Sequence, residues 1–357
     1  MASGHGQGCG GEEIIRGQAR RNAIESVQEA FDSPRLFTYP PDADTMKNRL
    51  YSLLAATAIA GTVALAACAP WGNEFREVTA ERIARPAFMV ERKDSAGGMQ
   101  FQLWERMHAP GEPANIYIEG DGDTDPKWDS TPDNPVALHL ASRDNAKNLV
   151  WIGRPCQFQE VPDDKKCDPS LWSTRRFSPE VLAAYNEIID YVKKRYDVTQ
   201  INLIGYDGGA NVAAALATQR SDVASLRTVA GELNPDLVSE KVKTKVDADN
   251  IRANAIAPQL AGLPQHHFIG AGDDVAPPAV YHSFRQAMGE TDCVHYTIVP
   301  DADHTKGWVE KWPTLLNSSL SCASAMPPKE DMSMGLPQDY MPAPFPPVPE
   351  DIDHGQK

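Results

Sequence analysis

Three residues that can do hydrolytic chemistry follow one another in an informative order. Asp207 stands at the centre of the sequence GYDGG, Asp273 follows a later apolar run, and His304 follows the last such run. A histidine that activates a nucleophile or water, oriented by an acid, is the usual set for this chemistry. We therefore predict that these residues share one site, with Asp207 at the nucleophile's position. Asp274 is an alternative orienting acid, but the spacing from Pro277 favours Asp273.

The segment around Asp207 is of the kind that presents a nucleophile on a sharp turn. Residues 201–204 are apolar and predict a buried strand, and the alanine-rich residues 210–217 predict a helix. Glycines two before and two after Asp207 let the strand and helix pass closely, and they strain the residue between them. This strand, turn and helix are typical of a nucleophile elbow, G-x-Nuc-x-G, here with aspartate in the middle.

The elements that must position these residues alternate along the chain. Strands are predicted at 87–90, 101–104, 115–118, 149–152, 226–230, 265–270 and 294–299, and helices at 136–141, 179–192, 278–288 and from about residue 309. The first two strands would pair around Gly97-Gly98. Strands that alternate with helices predict an α/β fold, with a mostly parallel central sheet and helices on both faces.

Composition excludes some classes of function. The chain has 357 residues, of which 41% are hydrophobic, and a net charge of −15. Such an acidic chain without basic clusters argues against a nucleic-acid partner. Neither C-x-x-C nor H-E-x-x-H occurs, so we predict no metal site and no cofactor. Residues 121–125 begin like a calcium loop, but Pro126 and Pro132 stand where glycine and glutamate are needed, and an EF-hand is rejected.

The N-terminal part is typical of export. Residues 1–45 are a polar, glycine-rich extension that we predict to be disordered or to lie upstream of the natural start at Met46. Residues 46–67 join a positively charged beginning to an apolar, alanine-rich run, which predicts a secretory signal peptide. The run ends in Leu-Ala-Ala-Cys68, which resembles the lipobox of bacterial lipoproteins. That resemblance implies lipid on Cys68 and, because Ala69 follows, a place at the outer membrane of the cell envelope, facing the periplasm.

The predicted globular domain spans residues 68–325, and residues 326–357 form an acidic, proline-rich tail predicted to be disordered. Four cysteines in this domain allow three disulfide pairings. Pairing Cys156 with Cys167 would close a short loop, and pairing Cys293 with Cys322 would join the last strand to the end of the last helix. Four buried free thiols are the alternative, which an exported protein disfavours.

From about residue 85 to 322 the sequence resembles the α/β-hydrolases, and especially a group of bacterial lipoprotein hydrolases. The matching features are EGDG at 119–122, RPC at 154–156 with Cys167, the elbow, TVAG at 228–231, the acid loop ending at Pro277-Pro278, and His304 with Gly307-Trp308. The resemblance implies a hydrolase of a small molecule. It also implies an oxyanion hole formed by the backbone N–H of Gly208 and by that of Asp121 or Gly122.

The chain departs from that group at the nucleophile, where aspartate replaces serine. A carboxylate that attacked an ester would form an anhydride, which is no more stable than the ester. Attack on an sp³ carbon that bears a halide or an epoxide oxygen gives an alkyl ester, which activated water can hydrolyse. Haloalkane dehalogenases and epoxide hydrolases of this fold use aspartate in this way, in an elbow written G-x-D-W-G. Here Gly208 replaces that tryptophan, and their HGxP turn is absent.

Three interpretations of Asp207 remain open. In the first it is the covalent nucleophile of a working hydrolase, with Asp273 orienting His304 and His304 activating water. In the second the protein is a lapsed hydrolase that binds a ligand or a partner at the envelope without turnover. In the third Asp207 is a general base or an electrostatic group in another reaction. The membrane contact through Cys68 is expected in all three.

Overall fold

The computed structural model describes residues 73–125, 130–158, 167–238 and 244–322. The predicted extension, signal peptide and lipid-carrying Cys68 lie outside these residues, and so does the predicted tail at 326–357. Among the residues described, no helix is both long and apolar enough to span a membrane.

The described chain contains one eight-stranded sheet and helices that connect its strands. The strands are β1 (Val90–Ala96), β2 (Met99–Met107), β3 (Ala114–Ile118), β4 (Asn148–Ile152), β5 (Ile201–Tyr206), β6 (Val223–Val229), β7 (Gln265–Gly270) and β8 (Val294–Val299). The helices are α1 (Asn73–Ala84), α2 (Val136–Arg143), α3 (Pro179–Tyr196), α4 (Gly208–Gln219), α5 (Ala253–Ile256), α6 (Pro278–Met288) and α7 (Trp312–Leu315). Short 3₁₀ helices lie at Arg85–Ala87, Pro169–Trp172, Pro235–Leu237 and Ala257–Leu260.

The order of strands across the sheet is β1-β2-β4-β3-β5-β6-β7-β8. Strand β2 runs antiparallel to both of its neighbours, and the six strands from β3 to β8 are parallel to one another. The predicted α/β class with a mostly parallel central sheet is therefore confirmed. Because the carboxyl ends of parallel strands meet at one edge, the loops after β3, β5, β7 and β8 lie together there.

Helices cover both faces of the sheet, as the alternation of strand side chains indicates. In β5, Leu203 packs into the hydrophobic cluster that contains residues of α3, α4 and α6. The next residue, Ile204, packs into the second cluster, which contains residues of α1, α2 and Trp312 of α7. A strand buried on both faces in this way explains the continuous apolar run from residue 201 to 204.

Two predicted boundaries were wrong, and proline explains both. Residues 87–89 are not part of β1, because Pro86 lies in a 3₁₀ helix, Arg85–Ala87, whose C-cap residue Phe88 has a φ of 58°. The last helix does not begin near residue 309 but is a single turn at Trp312–Leu315. A helix begun at 309 would place Pro313 in its interior, where the missing N–H and the ring would break it.

The structure joins Cys156 to Cys167 and Cys293 to Cys322, which is the pairing that the sequence analysis favoured. The first pair spans a sequence separation of 11 and lies between β4 and α3. The second ties the start of β8 to residue 322, beyond α7. Both disulfides therefore connect loops to the ends of regular elements.

Candidate active site

Asp207 occupies the turn between β5 and α4 in a strained backbone conformation. Its φ is 50° and its ψ is −125°, a region that non-glycine residues seldom enter. Its carbonyl oxygen accepts hydrogen bonds from the N–H groups of Ala210 and Glu232, at 3.0 and 2.9 Å. Its own N–H donates to the carbonyl of Val229 at 3.1 Å. These bonds hold the residue in the elbow conformation that the glycine pattern predicted.

Glycine is required where the strand passes the helix. A Cβ added to Gly205 would lie 2.4 Å from the carbonyl oxygen of Gly209, closer than any real side chain approaches a backbone atom. The helix therefore begins directly against the end of β5. The position of the predicted nucleophile therefore lies at the carboxyl edge of the sheet, where the other loops converge, and Asp207 is only 9% exposed there.

The structure brings Asp207, His304 and Asp273 together. Nδ1 of His304 is 3.0 Å from Oδ2 of Asp273, and Nε2 of His304 is 3.4 Å from Oδ1 of Asp207. Asp273 follows β7 and is held in turn by the N–H groups of Val275 and Ala276, which donate to its Oδ1 at 2.9 and 2.8 Å. Asp273, and not its neighbour in the sequence, is the acid that orients the histidine.

The two carboxylates keep the imidazole charged. Burial alone would lower the pKa of His304, but the hydrogen bonds and charges of Asp207 and Asp273 outweigh it and raise that pKa to about 10. Burial would likewise raise the pKa of Asp207, but His304 and the N–H groups of Asp121 and Gly208 lower it overall. At neutral pH the resting site is therefore an imidazolium between two carboxylates.

The carboxylate of Asp207 fills its own oxyanion hole. The N–H of Asp121, on the loop after β3, donates to Oδ2 of Asp207 at 3.0 Å. The N–H of Gly208, the first residue of α4, also lowers the pKa of this carboxylate. Gly122, the alternative donor, has a φ of 67°, and a Cβ added to it would lie 1.9 Å from the carbonyl oxygen of Ser130. Of the predicted oxyanion-hole donors, Asp121 therefore has its N–H on the carboxylate of Asp207, and the hole itself stays a prediction.

The side chain of Asp121 belongs to a buried cluster of charges. Arg154 approaches its Oδ1 at 3.2 Å, and Nε of Arg176 approaches its Oδ2 at 2.8 Å. Nη2 of Arg176 also contacts Oε1 of Glu232 at 2.8 Å, and burial raises the pKa of Glu232 to about 8. With two guanidinium groups beside it, the Asp121 carboxylate is committed to ion pairs, which leaves no calcium-loop role for it.

Sequence reasoning missed Arg176 and Glu232, although Arg154 stood in a noted motif. Charged residues are ordinarily exposed, and no local pattern says that these two are buried. The sequence does show aromatic and charged residues together at 172–177, just before the Ser178-Pro179 helix start. Such combinations are too common to indicate that an arginine is buried. Their pairing depends on loops that are far apart in the sequence and meet only in the fold.

Glu119 anchors the start of the loop after β3 through hydrogen bonds of its carboxylate. Its carboxylate accepts hydrogen bonds from the N–H groups of Gly120, Ala137 and Leu138, and from Nε1 of Trp151. Two of these donors open α2, so the carboxylate lies at a helix N-terminus, where negative charge is favoured. Burial nevertheless raises its pKa to about 7. Glu119 therefore links the segment that carries Asp121 to a helix of the scaffold.

A cavity of about 520 Å³ opens at Asp207 and His304. This volume suits a small molecule rather than a polymer chain. Most of the side chains that line the cavity are polar, and Arg76 is the only arginine among the described lining residues. The lining residues are Arg76, Glu119, Gly120, Asp121, Gly122, Asp123, Thr124, Thr131, Pro132, Asp133, Asn134, Tyr206, Asp207, Val275, His304 and Thr305.

No protein-family model and no curated protein matches this sequence. Solved structures do match. A membrane phospholipase A, described as a bacterial virulence factor, is 15% identical with a TM-score of 0.47, and the match covers 75% of this chain and 94% of that one. A putative dienelactone hydrolase from Klebsiella pneumoniae is 16% identical with a TM-score of 0.43, covering 60% and 87%. An alpha-beta serine hydrolase homologue from Coxiella burnetii is 15% identical with a TM-score of 0.44, covering 64% and 95%.

The class of the protein follows from its own architecture. The eight strands with an antiparallel second strand, the strained turn at the end of β5, and an acid and a histidine after β7 and β8 define an α/β-hydrolase fold. The predicted fold is confirmed at this level.

Proposed function

We propose that the protein is a hydrolase in which Asp207 attacks an sp³ carbon and forms a covalent alkyl ester. The observation that carries this proposal is the placement of the two carboxylate oxygens. Oδ2 accepts the N–H of Asp121 at 3.0 Å, while Oδ1 faces His304 at 3.4 Å. An ester formed on Oδ1 would keep its carbonyl oxygen in the oxyanion hole, where the second step needs it.

The same geometry disfavours carboxylic esters as substrates. A serine hydrolase uses its oxyanion hole for the substrate's carbonyl oxygen. Here Oδ2 of Asp207 takes up the N–H of Asp121, so that place is occupied before a substrate arrives. Attack on an acyl group would in addition form an anhydride, with no gain in stability over the ester. The proposed substrates therefore carry an epoxide or a carbon–halogen bond.

In the first step one carboxylate oxygen forms a bond to carbon, and the carbon–oxygen or carbon–halogen bond breaks with its electron pair on the departing atom. A halide leaves as the ion. An epoxide oxygen remains attached as an alkoxide and takes a proton. The nucleophile needs no base, because the pKa of Asp207 is lowered by His304 and by the N–H groups of Asp121 and Gly208, in spite of burial.

Alkylation would convert His304 from an acid into a base. Asp207 loses its negative charge when it becomes an ester, and that charge is one of the two that hold the pKa of His304 near 10. The pKa of the imidazole therefore falls, and it releases a proton, through solvent, to the new alkoxide or to bulk water. Asp273 keeps the neutral ring oriented, because its contact with Nδ1 does not change.

In the second step neutral His304 takes a proton from water, and the hydroxide adds to Cγ of the Asp207 ester. The resulting oxyanion is held by the N–H groups of Asp121 and Gly208. Collapse expels the alcohol oxygen, which receives the proton from His304. The acid left on Asp207 then returns a proton to the imidazole. With an epoxide, the cycle adds one water, and no net proton is gained or lost.

A second function is favoured by one observation. In the resting site each carboxylate oxygen of Asp207 has a partner, and the imidazolium is paired on both sides. A site that is satisfied without a substrate suits a lapsed hydrolase whose cavity binds a small ligand or partner. Turnover distinguishes the two functions, because a binding protein would leave every electrophile unchanged.

We also propose that the protein acts at the bacterial cell envelope, anchored through lipid on Cys68. The support for the anchor is the sequence of residues 46–68, which has a basic start, an apolar run and a small-residue end before cysteine. The two disulfides in the described chain fit an oxidising compartment. Metabolic labelling with a fatty acid, compared between the native chain and Cys68→Ala, tests this anchor.

The experiment that tests the activity traps the ester. The variant His304→Gln keeps the nucleophile but cannot activate water, so incubation with a terminal epoxide or a haloalkane should leave the substrate's mass attached to Asp207. Intact mass spectrometry and peptide mapping measure the adduct. The matched control is the double variant Asp207→Asn with His304→Gln, which should remain unmodified. If the mass of His304→Gln is unchanged after incubation with every epoxide and haloalkane, the result would favour the second function, a protein that binds a ligand without turnover.

A further inference from the structure

Arg176 lies behind the elbow and bridges the two loops that hold Asp207. Its Nε is 2.8 Å from Oδ2 of Asp121, and its Nη2 is 2.8 Å from Oε1 of Glu232. Both partners also bond Asp207 through their backbones. The N–H of Asp121 donates to Oδ2 at 3.0 Å, and the N–H of Glu232 donates to the main-chain carbonyl at 2.9 Å. One guanidinium therefore ties together two donors that fix the nucleophile.

The carboxylate of Asp121 is confined on its other sides. Nη2 of Arg154 lies 3.2 Å from its Oδ1, and the same nitrogen donates to the carbonyl of Arg176 at 2.6 Å. A Cβ on Gly208 would lie 2.2 Å from Oδ1 of Asp121, so this carboxylate packs directly against the first turn of α4. The side chain of Asp121 is therefore held from several sides.

Arginine suits this position in a way that lysine does not. The side chain is 1% exposed, and its two partners lie on different loops, after β3 and after β6. A guanidinium presents several N–H groups in a rigid fork and can contact both partners at once, whereas an ammonium is a single point charge. A lysine here would keep the charge but could not hold both carboxylates in the same places.

We propose that Arg176 is a positioning residue for the oxyanion hole. It holds Asp121 and Glu232 so that the N–H of Asp121 meets the oxyanion that forms when water attacks the Asp207 ester. This inference rests on the proposed function, and it separates the two steps. Alkylation requires an ionised carboxylate, which His304 favours more strongly than the N–H of Asp121 does, whereas hydrolysis of the ester requires the donor. Loss of Arg176 should therefore slow decay of the ester far more than its formation.

The test compares Arg176→Lys with Arg220→Lys in the full chain. Arg220 is also largely buried, but it pairs with Asp190 and Asp222 away from the elbow. The probe is a terminal epoxide with a nitrophenyl chromophore, and rapid-quench mass spectrometry follows formation and decay of the adduct. We expect decay to be roughly 10²-fold slower in Arg176→Lys, as for loss of an oxyanion donor. Formation should change by only a few fold, and Arg220→Lys should match the wild type.

A second measurement does not depend on turnover. Amide hydrogen exchange at Asp121 should be slow in the wild type and in Arg220→Lys, and clearly faster in Arg176→Lys. If Arg176→Lys does not fold, Glu232→Ala, which removes one of the two side chains that Arg176 contacts, takes its place with the same expected direction. Slow exchange at Asp121 in the folded variant, or an adduct that decays at the wild-type rate, would overturn the inference. If no adduct forms even in His304→Gln, the proposed function fails, and the exchange result alone decides the role of Arg176.

Discussion

At the scale of single residues, the proposed chemistry depends on the presence of aspartate, and not serine, at position 207. A serine at position 207 would leave the oxyanion hole empty until a substrate arrived. Aspartate places one oxygen in the hole and the other beside His304. The sequence alone left three roles open for Asp207, because it could not say where these two oxygens point. The positions of the N–H of Asp121 and the ring of His304 favour the covalent role.

The charge on His304 makes stability depend on pH in a definite direction. Its pKa is raised from an ordinary value near 6.5 to about 10. The folded state therefore binds a proton that the unfolded state has lost between these values, and the stabilisation falls as pH rises through this window. Below pH 6.5 the contribution is fully present. Urea unfolding should show a free energy that decreases from pH 6.5 to 10.

Other buried acids also titrate in this range, so the comparison with His304→Gln isolates the histidine. That variant should lose the part of the slope that His304 contributes, while its stability above pH 10 should approach that of the wild type. Equal slopes for the two chains would mean that His304 is not held charged between Asp207 and Asp273.

At the scale of elements, the elbow requires that α4 start against the loop after β3. Replacing Gly208 by alanine would place a Cβ 2.2 Å from the carboxylate of Asp121, which Arg154 and Arg176 hold in place. Overpacking of this kind typically costs about 1–3 kcal/mol. We expect Gly208→Ala to lower the free energy of unfolding by that amount and to abolish ester hydrolysis.

Gly262→Ala is the matched control for this substitution. A Cβ at Gly262 would meet no atom within 4 Å, and the residue lies outside the elbow. Thermal unfolding of Gly262→Ala should therefore resemble that of the wild type. A Gly208→Ala chain with unchanged stability and unchanged activity would show that the loop after β3 is not packed against α4 as described.

Most of the strands and helices could be predicted from the sequence, and so could the proximity of Asp207, Asp273 and His304. Strands β3 to β8 have apolar runs bounded by turn residues, and the order of Asp207, Asp273 and His304 matched the order of the strands that precede them. Helix α1 was not predicted, because among its residues 75–84, whose burial is described, only Ala80 and Ala84 are buried and no apolar stripe marks the helix. The ion pairs of Arg176 could not be predicted, since they join loops without a local pattern.

At the scale of the whole molecule, the disulfide between Cys156 and Cys167 stabilises the fold near the site. Within the loop that this disulfide closes, Gln157 donates to the carbonyls of Gly120 and Ser130 and so supports the loop after β3. A closed loop of this length is worth about 3 kcal/mol in the chain-entropy model. Replacing both cysteines by alanine should lower the midpoint of urea unfolding and slow the second step.

The disulfide between Cys293 and Cys322 provides the comparison. It closes a longer loop, with a sequence separation of 29, at the start of β8, away from the carboxyl edge of the sheet. Its removal should reduce stability by a similar or larger amount but leave ester hydrolysis unchanged in the folded protein. If removal of either disulfide affected the site equally, the local role assigned to the loop of Cys156 would be wrong.

The central claim is that Asp207 becomes covalently bound to its substrate, and isotope transfer in a single turnover tests it most directly. Excess wild-type protein would react once with a terminal epoxide in H₂¹⁸O. The masses of the product and of the peptide that contains Asp207 are then measured by mass spectrometry. The covalent route predicts an unlabelled first product and one ¹⁸O in the carboxylate of Asp207, because water attacks Cγ. Label in the product with an unlabelled Asp207 would show direct attack by water and would contradict the account.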